Sequence, residues 1–258
     1  AQLLALGYFG EDEDRIVRAW EGLIERACLR AAGEGRLRVL ARAEDDSEWY
    51  RVLRWLGFTA VTREQVYSRA VEPVSAPGGT SLTPVQREET WEVWKLYSRT
   101  EPATVQRAEG LTPSTWWRGR RLRSGTRQEW VLAADGSVVL HADLLLGPTS
   151  GALEMHYDPE YRQHLPLAIH QAQVTGAARG MRTLYCTVRE HQSELDTALQ
   201  ENGFTPMLAQ TSMVLYTSVL SYAPERSTAV EKASPVLRTT MGSASRSTGE
   251  QSGMACTW

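Results

Sequence analysis

Cysteine is scarce in this 258-residue chain: Cys28, Cys186 and Cys256 stand far apart. Three cysteines without CxxC spacing exclude a disulfide framework and a cysteine metal site, and they suit a reducing, cytoplasmic setting. The five histidines show no HExxH or related spacing, so no metal is expected. No Walker loop and no GxSxG elbow occur, which removes P-loop phosphoryl transfer and the serine hydrolases of that type. No apolar run approaches the roughly 20 residues that span a bilayer, so no membrane partner is expected. Charge of one sign is also lacking. The net charge is −3 and the pI about 6.0, so the chain as a whole does not favour nucleic acid. The chain starts at Ala1 with no leader pattern, and we read its N-terminus as truncated.

What is present is a core-forming composition, 42% hydrophobic, long enough for one large domain or two medium ones. "EDEDRIVRAWEGLIERACLRAAGEG" reads as a helix with Ile16, Trp20, Leu23, Ile24, Ala27 and Ala31 on one face, closed by Gly33 and Gly35. A strand "RLRVLARA", a helix "DDSEWYRVLRWLGF" and an alternating strand "TAVTREQVYSRA" follow. Residues 71–83 are a Pro/Gly/Ser linker. "VQREETWEVWKLYSRT" is an amphipathic helix anchored by Trp91, Trp94 and Leu96. "TRQEWVLAADGSVVLHADLLL" is a hairpin turning at Asp135-Gly136. The strand "ALEMHY", a helix near Pro166, the strand "MRTLYCTVRE", the helix "SELDTALQEN" and the strand "PMLAQTSMVLYT" complete the ordered part. Residues 219–258, rich in Ser and Thr, read as a disordered tail.

The chain repeats itself. A strand, a helix, a Gly-Phe pair and a strand occur around Gly57-Phe58 and again around Gly203-Phe204, 146 positions later. A left-handed glycine closes each helix and the phenylalanine packs back.

The stretch "MHYDPEYRQHLPLAIHQAQVTGAARGMRTLYCTVREHQSELDTALQENGF" resembles the GNAT N-acetyltransferase superfamily in its order of strand, loop, helix, strand and Gly-Phe helix end. The resemblance implies an α/β fold, a mixed and mostly antiparallel sheet flanked by helices, in two tandem copies. Residues 1–70 would be the C-terminal half of a first copy, and residues 84–218 a complete second copy. It implies a cytoplasmic enzyme moving an acetyl group from acetyl-CoA to a small-molecule or peptide amine. The strand backbone at Met155 and Tyr157 would polarise the thioester. Arg162, Gln163, His164, Leu165 and Leu167 would hold the pyrophosphate, and Glu154 and His156, two apart on one strand face, would take the proton. The oligomeric state is open.

This chain departs from the family at the loop, where both glycine positions carry side chains, Leu165 and Leu167, and Pro166 has no amide. The family's tyrosine acid is replaced by Leu199, and by Leu53 in the first copy, with Tyr185 or Tyr216 as substitutes nearby. The first copy carries four acids, Glu11 to Asp14, where a phosphate loop would be, and is expected to be structural. Two readings follow: an active acetyltransferase, or a scaffold that binds a ligand or protein without catalysis. A third candidate is "WWRGRRLRSGTR", whose arginines 118, 120, 121, 123 and 127 beside Trp116 and Trp117 could grip phosphates. With an acidic remainder, nucleic acid is not the expected partner.

Overall fold

Asp135 (φ 50°) and Gly136 (φ 76°) form the expected tight turn in a computed structural model that describes residues 13–72, 82–116 and 126–217. In chain order the elements are α1 (Glu13–Gly33), β1 (Arg38–Glu44), α2 (Glu48–Trp55), β2 (Thr59–Ala70), β3 (Thr83–Pro84), α3 (Thr90–Thr100) and α4 (Ala103–Glu109). There follow β4 (Thr126–Ala134), β5 (Ser137–Leu146), β6 (Ser150–Tyr157), α5 (Leu165–Ala178), β7 (Thr183–Arg189), α6 (Ser193–Glu201) and β8 (Thr205–Tyr216). The fold is α/β. The tail, and arginines 118, 120, 121 and 123 with Trp117, lie outside the described residues.

The eight strands make one sheet in the order β1-β8-β2-β7-β6-β5-β4-β3, in which only β6 and β7 are parallel. The repeated units are β1-α2-β2 and β7-α6-β8, and they interlock. β2 lies between β7 and β8, and β8 lies between β1 and β2. The β2–β8 register is nearly its own mirror: Thr59 faces Val214, Ser68 faces Thr205, and Glu64 faces Gln210 at the centre. Each unit therefore completes the other's core. Tyr67 of β2 joins the large core under α5 and α6, while Met213 of β8 joins the smaller core under α1 and α2. Neither strand could be removed without opening a cavity in the other half.

Local chemistry explains the helix ends. Ser47 caps α2, its hydroxyl accepting from the Tyr50 amide at 3.1 Å. Gly57 (φ 91°) and Gly203 (φ 75°) take the left-handed conformation that ends the two repeated helices. Phe58 and Phe204 are both buried, as expected. Two expected apolar faces shift. On α1, Val17, Trp20, Ile24, Cys28 and Ala31 face the core, while Leu23 and Ala27 are exposed. On α3 the buried anchors are Val93, Leu96 and Tyr97; Trp91 is 52% exposed and stacks on Trp94 at 4.9 Å. In both helices the inward stripe is set by where the neighbouring sheet lies, about one position from the stripe that residue size alone suggests.

The sheet has one dry face and one polar face. Leu153, Met155 and Tyr157 of β6 and Leu184, Cys186 and Val188 of β7 pack in the large core with α5 and α6. The alternate residues, including Glu154, His156, Thr187 and Arg189, line a pocket on the opposite face, where α3 brings Tyr97 against His156. Arg38 of β1, the outer strand of the sheet, donates to the Arg107 carbonyl of α4 at 2.8 Å.

Candidate active site

β6 and β7 pair from Ser150–Thr183 to Leu153–Cys186 and then part, although both strands run on. The gap leaves the outer halves of two parallel strands facing each other without a ladder. On the polar face beside it lies a pocket of ≈ 110 Å³. Its walls include Glu154 and His156 of β6, Arg189 of β7, Asp143 of β5, Glu101 from the end of α3, and Glu64 and Arg42 from the first repeat.

His156 is the buried centre. Its Nδ1 lies 3.2 Å from Glu101 Oε1 and its Nε2 4.0 Å from Glu154 Oε1. Its ring packs on Tyr97, Trp116 and His141. Burial pushes the Glu101 carboxyl up. The hydrogen bond from His156 and the charge of Arg189 more than offset this and hold it at about 2. Glu101 is thus an ionised acceptor at neutral pH. It favours the tautomer with the proton on Nδ1 and leaves Nε2 as the basic nitrogen.

Arg189 holds the carboxylates in place. It is buried, donates to Glu101 Oε2 at 2.5 Å and to Glu109, and lies 3.9 Å from Glu64. Burial lowers its pKa, but Glu109 and Glu101 raise it further, so it stays charged. Glu64 also receives Arg42 at 2.7 Å and Gln210 at 2.8 Å. On the other side Arg127 pairs with Asp143 and Glu129. Every one of these buried charges meets an opposite charge, as the desolvation penalty requires.

The expected catalytic pair, Glu154 and His156, does share one face at the pocket. Met155 and Tyr157 point to the other face. The Met155 carbonyl accepts from Gln192 Nε2 at 3.2 Å, and Gln192 Oε1 accepts from the Arg189 amide at 3.0 Å, so this side chain bridges the two strands where they part. The Tyr157 hydroxyl donates to Glu194 and accepts from the Leu195 amide. Burial, with Glu194 beside it, raises its pKa.

The loop is not an open cradle. A 3-10 helix over Pro159–His164 runs into α5. Asp158 caps it, its side chain accepting from the Glu160 amide and its carbonyl from the Tyr161 amide; the Leu165 amide donates to the Arg162 carbonyl. Arg162 and Gln163 are exposed, His164 and Leu167 half-buried, and Leu165 is buried in the core. Leu199 and Leu53 are fully buried, while Tyr216 sits at the far strand pair facing Arg38. Tyr185 is half-buried on β7. Cys186 is buried and its thiol is pushed up by burial, so it is a core residue.

The sequence reading missed Glu101, Arg189, Glu64, Arg42 and Gln192. It also expected the first repeat to be structural, whereas that repeat supplies Arg42 and Glu64 to the pocket. The one signal was an arginine ending a strand with apolar residues at alternate positions, at "CTVRE". Of the basic segment, Trp116 is buried against Tyr97 and Arg127 is ion-paired, so these two described members serve the core and the pocket.

No family model and no curated protein matches this chain. Solved structures do. A conserved protein of unknown function from Staphylococcus epidermidis superposes with a TM-score of 0.56 at 12% identity, covering 79% of this chain and 81% of that one. A GCN5-related N-acetyltransferase from Kribbella flavida gives 0.53 at 15% identity, covering 77% and 76%. The chain shares the GNAT fold. The N-myristoyltransferase of Saccharomyces cerevisiae with bound myristoyl-CoA gives 0.52 at 12% identity, over 75% of this chain and 57% of that enzyme. In this fold the polar pocket opens beside the parting of β6 and β7. No helix among the described residues is long and apolar enough to cross a membrane. No group of three or more His, Cys, Asp or Glu among them is placed to hold a metal ion.

Proposed function

We propose that this chain is an N-acyltransferase that moves an acetyl group from acetyl-CoA to an amine. In this reading residues 84–218 carry the chemistry as a GNAT unit whose core β2 completes, and residues 1–70 are the second half of a preceding copy. The observation that carries it is the line Glu101–His156–Glu154 beside the parted strands. A carboxylate orients an imidazole, and the free imidazole nitrogen faces a second carboxylate in a pocket that solvent reaches.

An acyl-CoA fits this chain at one end better than the other. The gap beyond Leu153 and Cys186, bridged at the Met155 carbonyl by Gln192, would admit an acyl group beside the strand backbone at Met155 and Tyr157. At the loop, Arg162, Gln163 and His164 would meet the phosphates with side chains, since the amides of residues 160, 161 and 165 are bonded within the protein. When bound, the thioester supplies the electrophile. The chain's own part is positional and basic. Glu154 attracts an ammonium into the pocket, His156 Nε2 takes a proton from it, and Glu101 steadies the imidazolium that results. Tyr97 and Trp116 close the wall behind His156 and exclude water from that side.

His156→Gln should lower kcat by about 10²- to 10⁴-fold and leave acetyl-CoA affinity unchanged. Glu154→Gln should raise the KM of the amine. A His156→Gln chain that turns over at the native rate would refute the assignment.

A second reading, a GNAT scaffold that binds a ligand or protein without transfer, is favoured by one observation. The amides at the start of the loop are engaged, and two acids, Asp158 and Glu160, stand among them. Calorimetric titration of acetyl-CoA separates the two. Heat with a defined stoichiometry, followed by acetyl transfer to an amine, supports the enzyme; binding without transfer, or no binding to folded protein, supports the scaffold.

A further inference from the structure

The ionisable residues that line the pocket differ in how open they are. Glu64, Glu101, Asp143, His156 and Arg189 are closed, with side chains between 0% and 9% exposed. Two remain open: Arg42, at 41%, and Glu154, at 44%. They carry opposite charge, and the charge of Glu154 is felt at Arg42. Arg42 is held by a fork to Glu64, its Nε at 2.7 Å and one terminal nitrogen at 3.3 Å. Glu64 is itself fixed by Gln210 and buried completely. One edge of the guanidinium is thus locked in place. Its Nη1 group, with two N–H donors, lies outside that fork. A guanidinium edge fixed in this way suits a planar anion.

We propose that the pocket binds a small zwitterion, an amine that also carries a carboxylate, with the carboxylate on Arg42 and the ammonium at Glu154. This rests on the amine-acceptor reading above and narrows it to amino-acid-like acceptors. The pocket's ≈ 110 Å³ suits a group of that size rather than a folded partner. It gives the first repeat a purpose in the site. β1 lies beyond β8 and β2 from β7, and the long Arg42 side chain, held by Glu64 of β2, reaches the pocket wall across them. The pairing is also selective by subtraction. A ligand lacking the carboxylate brings no anion to the outer edge of Arg42, and a ligand lacking the ammonium brings a second anion against Glu154.

The test uses the full chain without acyl donor. Free L-amino acids, their carboxamides and the matching deamino acids are titrated by calorimetry. The expected result is binding of the free amino acids, with roughly 10- to 100-fold weaker binding of carboxamides and of deamino acids. In Arg42→Gln, amino acid and carboxamide should bind equally, a ratio that a general loss of stability would not change. Arg42→Lys, which keeps the charge and loses the fork, should fall between. Equal affinity for acid and amide in the native chain, or no binding of any of the three sets, overturns the proposal. Binding of amino acids without acetyl transfer would leave this inference standing and refute the acyltransferase reading. Transfer to carboxamides as fast as to acids would do the reverse.

Discussion

Glu101→Gln is the most informative single substitution, because Glu101 meets both His156 and Arg189. Its carboxyl is held at about 2 in the folded chain against an ordinary value of 4.5. That depression of about 2.5 units corresponds to about 3 kcal/mol of stability, taking about 1.36 kcal/mol per unit. The folded pKa is the lower one, so the unfolded chain binds the extra proton. The stabilisation is therefore complete above pH 4.5 and is lost as pH falls toward 2. Glutamine keeps the shape but cannot ionise. At pH 7 the variant should be less stable by about 3 kcal/mol, since the buried Arg189 keeps only Glu109 and the more distant Glu64. For a chain of this size that is a fall in Tm of about 6–12 °C. Urea unfolding followed by circular dichroism, at intervals from pH 7 to 2.5, measures both quantities. Between pH 4.5 and 2.5 the native curve should fall more steeply than the variant curve. Parallel curves would refute the account of Glu101, because they would mean that its folded and unfolded pKa values are the same.

Three further outcomes follow from packing and caps. Gly151→Ala would place a Cβ 2.0 Å from Met181 Cε and 3.3 Å from the Leu145 carbonyl, and should cost about 1–3 kcal/mol in urea unfolding. Leu199→Tyr would not restore an acid. Leu199 is fully buried, so the ring overfills the core and the hydroxyl lacks a partner; Tm should drop and acetyl transfer should not rise. Ser47→Ala removes the cap on α2 and should cost about 1 kcal/mol, read as a fall in Tm of about 2–4 °C without a change in ligand binding.

Much of the secondary structure was legible in the residues because it is set by local chemistry. Asp135-Gly136 takes positive φ in a two-residue turn, and alternation over residues 59–70 gives the bounds of β2. The ends of α2 and α6 were legible for the same reason. Gly57 and Gly203 end two helices in the same conformation, and each following strand is twelve residues long. Glu154 and His156 could be placed on one face because side chains on a strand alternate. The short helix α4 was missed: "ATVQRAE" has too few apolar residues to show a period, and it is held by Val105 and Ala108 against the rest of the fold.

The sequence by itself therefore determined most of the strands, helices and turns and one side of the candidate site. These depend on φ, ψ and spacing within a few residues. Only the tertiary structure decided the strand order and the rest of the pocket. β2 and β8 have equal length and equivalent flanks, so nothing local chooses between pairing within a unit and exchange between units. That choice rests on Tyr67 and Met213 each filling the other unit's core. Once made, it sets Glu64 opposite Arg189 and Gln210, and Arg42 within reach of Glu64. Ion pairs and hydrogen bonds between residues up to 146 positions apart in the chain are formed by long-range packing, and no sequence period records them.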